Sequence, residues 1–74
     1  MTETLMNLRG LKCPLPALRV RKTLSSLKSG DMIVAECTDP LIMIDIPNLL
    51  RQTGDTLESK SEADGILTFR IRKT

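Results

Sequence analysis

Leu8-Arg9-Gly10-Leu11-Lys12-Cys13-Pro14-Leu15-Pro16 marks the point where the apolar pattern changes period. On its N-terminal side, Thr4 to Leu8 places Met6 and Leu8 on one side and Leu5 and Asn7 on the other, as in a short strand that Gly10 ends. On its C-terminal side, Ala17, Val20, Leu24 and Leu27 recur at spacings of three and four, which predicts one buried face of a helix from Pro14 to about Leu27. Arg19, Lys22 and Ser26 fall away from that face, and Arg21 sits on its flank. Ser29-Gly30-Asp31 is expected to end the helix with a glycine near the C-cap.

The same stretch carries the chemistry. Proline has no N–H to lose at the first helical position, so Pro14 suits N1 and leaves Cys13 at the N-cap. Pro16, at N3, would stiffen the turn at little cost, because that N–H has no intrahelical partner either. A thiol at such a helix end faces free N–H groups and the positive end of the dipole, which favour the thiolate. Cys13 is therefore expected to titrate below an ordinary cysteine and to act as a nucleophile at neutral pH. The bland alternative is a small apolar residue that happens to cap a helix, in a position where Ser, Thr, Asp or Asn would cap better.

Farther along, Met32 to Thr38 predicts a strand with Ile33, Ala35 and Cys37 inward, since Glu36 is not expected to be buried unpaired. Cys37 thus reads as core. Asp39-Pro40 repeats the N-cap and N1 pattern, and a helical stretch runs through Leu50 and Arg51 to Gly54 at C′. Pro47 interrupts it, so one turn is expected, then a restart capped by Asp45 with Ile46, Leu49 and Leu50 facing the core. Leu41-Ile42-Met43-Ile44 is a continuous apolar run: either part of it forms an exposed patch for a partner, or it packs under the first helix. Thr56 to Glu62 and Ile66 to Arg72 predict two strands joined by Asp64-Gly65 in a tight hairpin. In the last strand Leu67, Phe69 and Ile71 point inward, and Thr68, Arg70 and Arg72 outward. The order βαβαββ predicts an α/β fold, two helices on one face of a four-stranded mixed sheet, with residues 1–74 as one domain.

Several function classes are disfavoured by composition. The net charge of +2 is mild, and Phe69 is the only aromatic residue, so direct nucleic-acid binding by stacking is not expected. No apolar run reaches the length of a membrane helix and no signal-peptide core is evident, so a soluble cytoplasmic protein is expected, with no membrane partner. Two cysteines far apart do not form a disulfide framework. The chain has no histidine, which removes Cys-His hydrolysis, His-ligated zinc and imidazole base catalysis. No cofactor or metal is expected. What remains is chemistry in which the thiolate itself is the working group, such as sulfur exchange.

These residues resemble the TusA/SirA-like sulfurtransferase family, whose signature is Cys-Pro-x-Pro after a short strand and Gly-Leu, here Leu8 to Pro16. The resemblance continues through Val20-Arg21-Lys22, Asp39-Pro40, Asp45-Ile46-Pro47 and the final hairpin. It implies a two-layer α/β sandwich like the C-terminal domain of translation initiation factor three. It also implies that Cys13 carries a persulfide received from a cysteine desulfurase or a rhodanese-like donor and passes sulfur to a downstream acceptor protein, in transfer-RNA thiolation or sulfur oxidation. Pro14 and Pro16 would shape the turn, while Lys12, Arg21 and Lys22 would steady the anionic sulfur or meet a partner, or be only a solvated face. Asp39 and Asp45 look like helix caps in a region that the resemblance also implies for docking, while Met43 and Ile44 are docking candidates as part of the apolar run. Two other readings stay open: a redox module in which Cys13 and Cys37 pair, and a non-catalytic interaction or regulatory domain working through Leu41 to Ile44.

Overall fold

A computed structural model describes residues 3–74. The elements are β1 (Glu3–Leu8), α1 (Leu15–Ser26), β2 (Met32–Cys37), α2 (Ile42–Thr53), β3 (Thr56–Ala63) and β4 (Ile66–Arg72). The strands lie in the order β1-β2-β4-β3, with β1 parallel to β2 and β4 antiparallel to both of its neighbours. β3 therefore runs parallel to β2, and both helical crossovers step across the sheet in the same direction. Right-handed crossovers then put both helices on one face. The burial pattern agrees, since Leu8, Ile33, Ala35, Cys37, Leu67, Phe69 and Ile71 are all sealed on that face. This is the expected βαβαββ sandwich.

Register explains why the alternation was so readable. Leu8 lies beside Cys37 across the parallel pair, and Ile33, Ala35 and Cys37 face Ile71, Phe69 and Leu67 across the antiparallel one. Inward positions therefore meet inward positions, and a slip by one residue would expose them all. At the edge, the β3–β4 ladder shifts between Leu57 and Ser59, and beyond that bulge Lys60 and Glu62 pair with the inward residues Phe69 and Leu67. Charged side chains on the inward side of an edge strand deter pairing with another sheet. The Asp64-Gly65 turn has φ of 53° and 78°, the left-handed pair that a type I′ hairpin requires. On the open face, Arg70 reaches Glu3 at 3.2 Å and Arg9 reaches Glu36 at 3.7 Å, exposed pairs each contributing about 0–1 kcal/mol.

The helix boundaries correct four expectations. α1 starts one residue later than predicted: Pro14 occupies the cap with φ −97° and ψ 13°, Leu15 is the first helical residue and Pro16 the second. The cause is a preceding turn, closed by Leu15 N–H donating to Lys12 O at 2.9 Å, which leaves Cys13 outside the helix. The end of α1 also differs, because Leu27 turns extended and caps the helix, while Gly30 serves the turn into β2 and donates to Lys73 O at 2.7 Å.

The third correction concerns α2, which does not break at Pro47 but runs without a restart from Ile42 to a left-handed Gly54. Pro47 removes one hydrogen bond, to Met43 O, and an interior proline costs about 3 kcal/mol or more. Against that, Ile42, Ile46, Leu49 and Leu50 form one buried stripe, and burying each such side chain contributes about 1.5–3 kcal/mol. Four of them outweigh the proline. The start of α2 differs too: Leu41, not Asp39, is the cap and makes no side-chain cap bond, because Asp39 and Pro40 form a turn before the helix, in which Asp39 Oδ1 accepts the Leu41 N–H at 2.9 Å and its carbonyl accepts the Ile42 N–H at 3.1 Å.

Candidate functional site

Cys13 lies in the loop after β1, and Asp39 in the loop after β2, so adjacent parallel strands deliver both residues to the same end of the sheet. Two carboxylates hold the cysteine. Asp39 Oδ2 accepts the Cys13 backbone N–H at 2.7 Å, and the Cys13 thiol donates to Asp45 Oδ2. Gly10 N–H donates to Thr38 Oγ1 at 2.9 Å, fastening the other limb of the Cys13 loop to the end of β2. The Cys13–Pro14 peptide bond is cis.

This arrangement reverses the expected electrostatics. Cys13 lies one residue outside the α1 cap, and its own N–H and thiol are bound by Asp39 and Asp45. Its thiol is held above the ordinary cysteine value, chiefly by the hydrogen bond to Asp45, then by partial burial and by the negative charges of Asp45 and Asp39. A nearby like charge disfavours ionisation, and a hydrogen bond donated by the neutral form does the same. Asp39 is stabilised as an anion by the N–H groups of Cys13 and Leu41 and by the charge of Lys12. The resting group is thus a neutral thiol, partly accessible, hydrogen-bonded to a carboxylate.

The other predicted residues divide. Lys12 is exposed and acts on Asp39. Arg21 borders a groove between α1 and α2 together with Asp45 and Asn48. Lys22, seven residues into α1, stands on the exposed face about 10 Å of helix rise from its start, and nothing brings it to the sulfur. Pro14 is exposed at the cap, whereas Pro16 is buried beneath the first turn. In the apolar run, Ile42 belongs to the core while Leu41, Met43 and Ile44 are 52%, 39% and 60% exposed. Met43 borders Lys60, Ser61 and Glu62 at the β3 edge and is thereby separated from Asp45, which faces α1. Leu15, the variable residue of the Cys-Pro-x-Pro motif, and Leu18, which was not singled out in the sequence, are exposed on α1.

Asp45 as the partner of the thiol was also missed. It reads locally as a cap, and the contact spans 32 positions of sequence; no short-range pattern encodes it. Cys37 is fully buried on the inward side of β2, and burial pushes its thiol up to about 11. The two cysteines are both free, and only Cys13 reaches the surface.

Comparison with known proteins bears on this site. The family profile described as Sulfurtransferase TusA matches residues 4–73. Sulfur carrier protein TusA of Allochromatium vinosum is 40% identical over 65 residues, covering 88% of this chain and 86% of that protein. A Neisseria meningitidis protein is 38% identical over 72 residues, 97% of each chain. The crystal structure of a SirA-like protein from Desulfitobacterium hafniense has the same fold, with a TM-score of 0.83 at 20% identity over 97% of this chain and 96% of that one. With a family match that runs from β1 to the end of β4 and carrier proteins aligned over most of their length, this chain belongs to the TusA sulfurtransferase family of sulfur carriers.

Proposed function

We propose that this protein carries sulfane sulfur as a persulfide on Cys13, taking it from a cysteine desulfurase or a rhodanese-like donor and delivering it to a downstream acceptor protein in the cytoplasm. The observation that supports this most is the contrast between the thiols: Cys13 is accessible on a loop tied to two carboxylates, while Cys37 is sealed in the sheet. In the loading step, Cys13 sulfur attacks the outer sulfur of the donor persulfide, the donor S–S bond breaks, and the proton lost by Cys13 ends on the departing donor thiolate. Donor–S–SH plus Cys13–SH gives donor–SH plus Cys13–S–SH, with no net oxidation. Delivery repeats the exchange with an acceptor thiol as nucleophile.

Incubation with a cysteine desulfurase and cysteine should add one sulfur atom to the intact protein, read by mass spectrometry. Cys13→Ser should gain none and Cys37→Ser should gain as the unmodified chain does. No gain on the unmodified chain, or an equal gain on Cys13→Ser, would sink the proposal.

A second reading draws on the exposure of Leu41, Met43 and Ile44, which gives a non-catalytic interaction domain an available surface. In that reading Ile44→Asp abolishes capture of the partner in a pull-down, whereas Cys13→Ala leaves both capture and the cellular role intact. Loss of the cellular role in Cys13→Ala favours sulfur carriage instead.

A further inference from the structure

The carrier reading needs a Cys13 thiolate at the moment of attack, yet nothing in the immediate surroundings supplies one. The thiol proton is engaged by Asp45 Oδ2, and the backbone N–H of the same residue by Asp39 Oδ2. The cations facing this region are Lys12 on the Cys13 loop and Arg21 on α1. The charge of Lys12 acts on Asp39, and Arg21 borders the groove beside Asp45 without an ion pair to any described residue. The ion pairs Arg9 with Glu36, Arg70 with Glu3, Arg72 with Glu58 and Lys73 with Asp55 lie elsewhere. The chain contains no histidine to take the proton.

Resting on the carrier reading above, we infer that Asp45 is a positioning residue that locks the unloaded Cys13 as a neutral, hydrogen-bonded thiol, and that the lock is released by the protein donor, which presents a Lys or Arg side chain to Asp45. The physical steps are few. A docked cation takes over the Asp45 oxygen that now accepts from sulfur, since a charge-assisted hydrogen bond from an ammonium or guanidinium group is stronger than one from a thiol. Its positive charge cancels the repulsion that opposes a thiolate. Sulfur then attacks the outer sulfur of the donor persulfide, and its proton passes to the thiolate that leaves. Asp45 neither gains nor loses a proton over the exchange. Away from the donor the thiol stays protonated, and because the thiolate is the reactive species, it is spared alkylation and peroxide oxidation. Attack on an unselected sulfur source is slowed by the same means.

The proposal separates two rates that a purely structural Asp45 would move together. Alkylation of Cys13 by iodoacetamide at neutral pH, followed by intact-protein mass spectrometry, reads the thiolate alone. Asp45→Asn should alkylate severalfold faster than the unmodified chain, and Asp45→Glu should return toward the slow rate. Asp39→Asn, which removes a charge that acts on the thiol from farther away, should show a smaller rise. Loading from a small persulfide, glutathione persulfide, should follow the same order. Loading from cysteine desulfurase plus cysteine should go the other way, severalfold slower in Asp45→Asn, because the donor loses the carboxylate it engages.

Alkylation of Asp45→Asn at or below the rate of the unmodified chain overturns the lock, and desulfurase loading undiminished in that variant overturns its release by a donor cation. If neither sulfur source loads any version of the protein, the carrier reading fails, and the donor half of this inference fails with it. The alkylation rates still decide the thiol lock. Equal thermal melting of the variants shows that the rates compare folded proteins.

Discussion

Phe69→Ala is expected to remove about 3–5 kcal/mol of stability, the usual cost of truncating a buried phenylalanine. Phe69 is the only aromatic side chain, fully buried on β4, one of the two inner strands of the sheet. Its neighbour across the β2 pair is Ala35, so the ring fills space that a small residue leaves, and on the other side Lys60 of the edge strand cannot fill a cavity. A domain of this length has about 4–11 kcal/mol in total, at about 0.05–0.15 kcal/mol per residue. The loss is therefore a large share of the whole. In urea, where a small domain has a slope of about 1 kcal/mol per molar, the midpoint should fall by about 3–5 M or leave no folded baseline. Phe69→Leu, which keeps most of the volume, should remain folded. A midpoint for Phe69→Ala within experimental error of the unmodified chain would show that the ring is not the centre of the core.

The second large effect concerns acid. Asp55 joins α2 to β3 at the end of the sheet opposite Cys13, and its side chain is 1% exposed. Its Oδ1 accepts the Thr74 N–H at 3.0 Å and the Thr74 hydroxyl at 3.2 Å, with Lys73 Nζ at 3.9 Å. Oδ2 is buried without a hydrogen-bond partner among the described residues. Burial pushes the carboxyl up, but the Thr74 N–H, the Thr53 hydroxyl, Lys73 and the Thr74 hydroxyl together outweigh it, so the group titrates below the ordinary value of 3.8.

The sign follows. With the folded value depressed, the stabilisation is complete above the unfolded value and is lost as pH falls through the folded one. Asp55→Asn should therefore cost most near neutrality, about 1–3 kcal/mol for leaving buried donors poorly matched. The gap between variant and unmodified protein should close as the solution is acidified below 3.8. Urea midpoints across that range test it. A gap that stays constant with pH would assign the effect to shape and not to charge. Sulfur loading on Cys13 should be unaffected, since the clamp and the thiol are at opposite ends of the strands.

Much of this architecture could be read along the chain because its determinants are local or periodic. Ile33, Ala35 and Cys37, and Leu67, Phe69 and Ile71, alternate in step with the pleat, and Asp64-Gly65 supplies the two left-handed residues of a hairpin. Val20 and Leu24 mark the buried face of α1. The Cys-Pro-x-Pro stretch likewise identified Cys13 as the thiol to consider, because prolines on its far side fix where a helix can begin.

Two features could be decided only by tertiary contacts. Pro47 is a helix breaker by its own chemistry, and α2 passes through it because Ile42, Ile46, Leu49 and Leu50 bury together against the sheet, a term no local rule contains. The protonation of Cys13 was misread for the same reason. The residues before and after it promise a helix dipole, but the groups that reach it, Asp39 and Asp45, lie 26 and 32 positions away. The chain's own order thus determines that a partly accessible cysteine stands at the end of two parallel strands. The folded arrangement sets its charge, because electrostatic interactions depend on distance in space and not on separation in sequence.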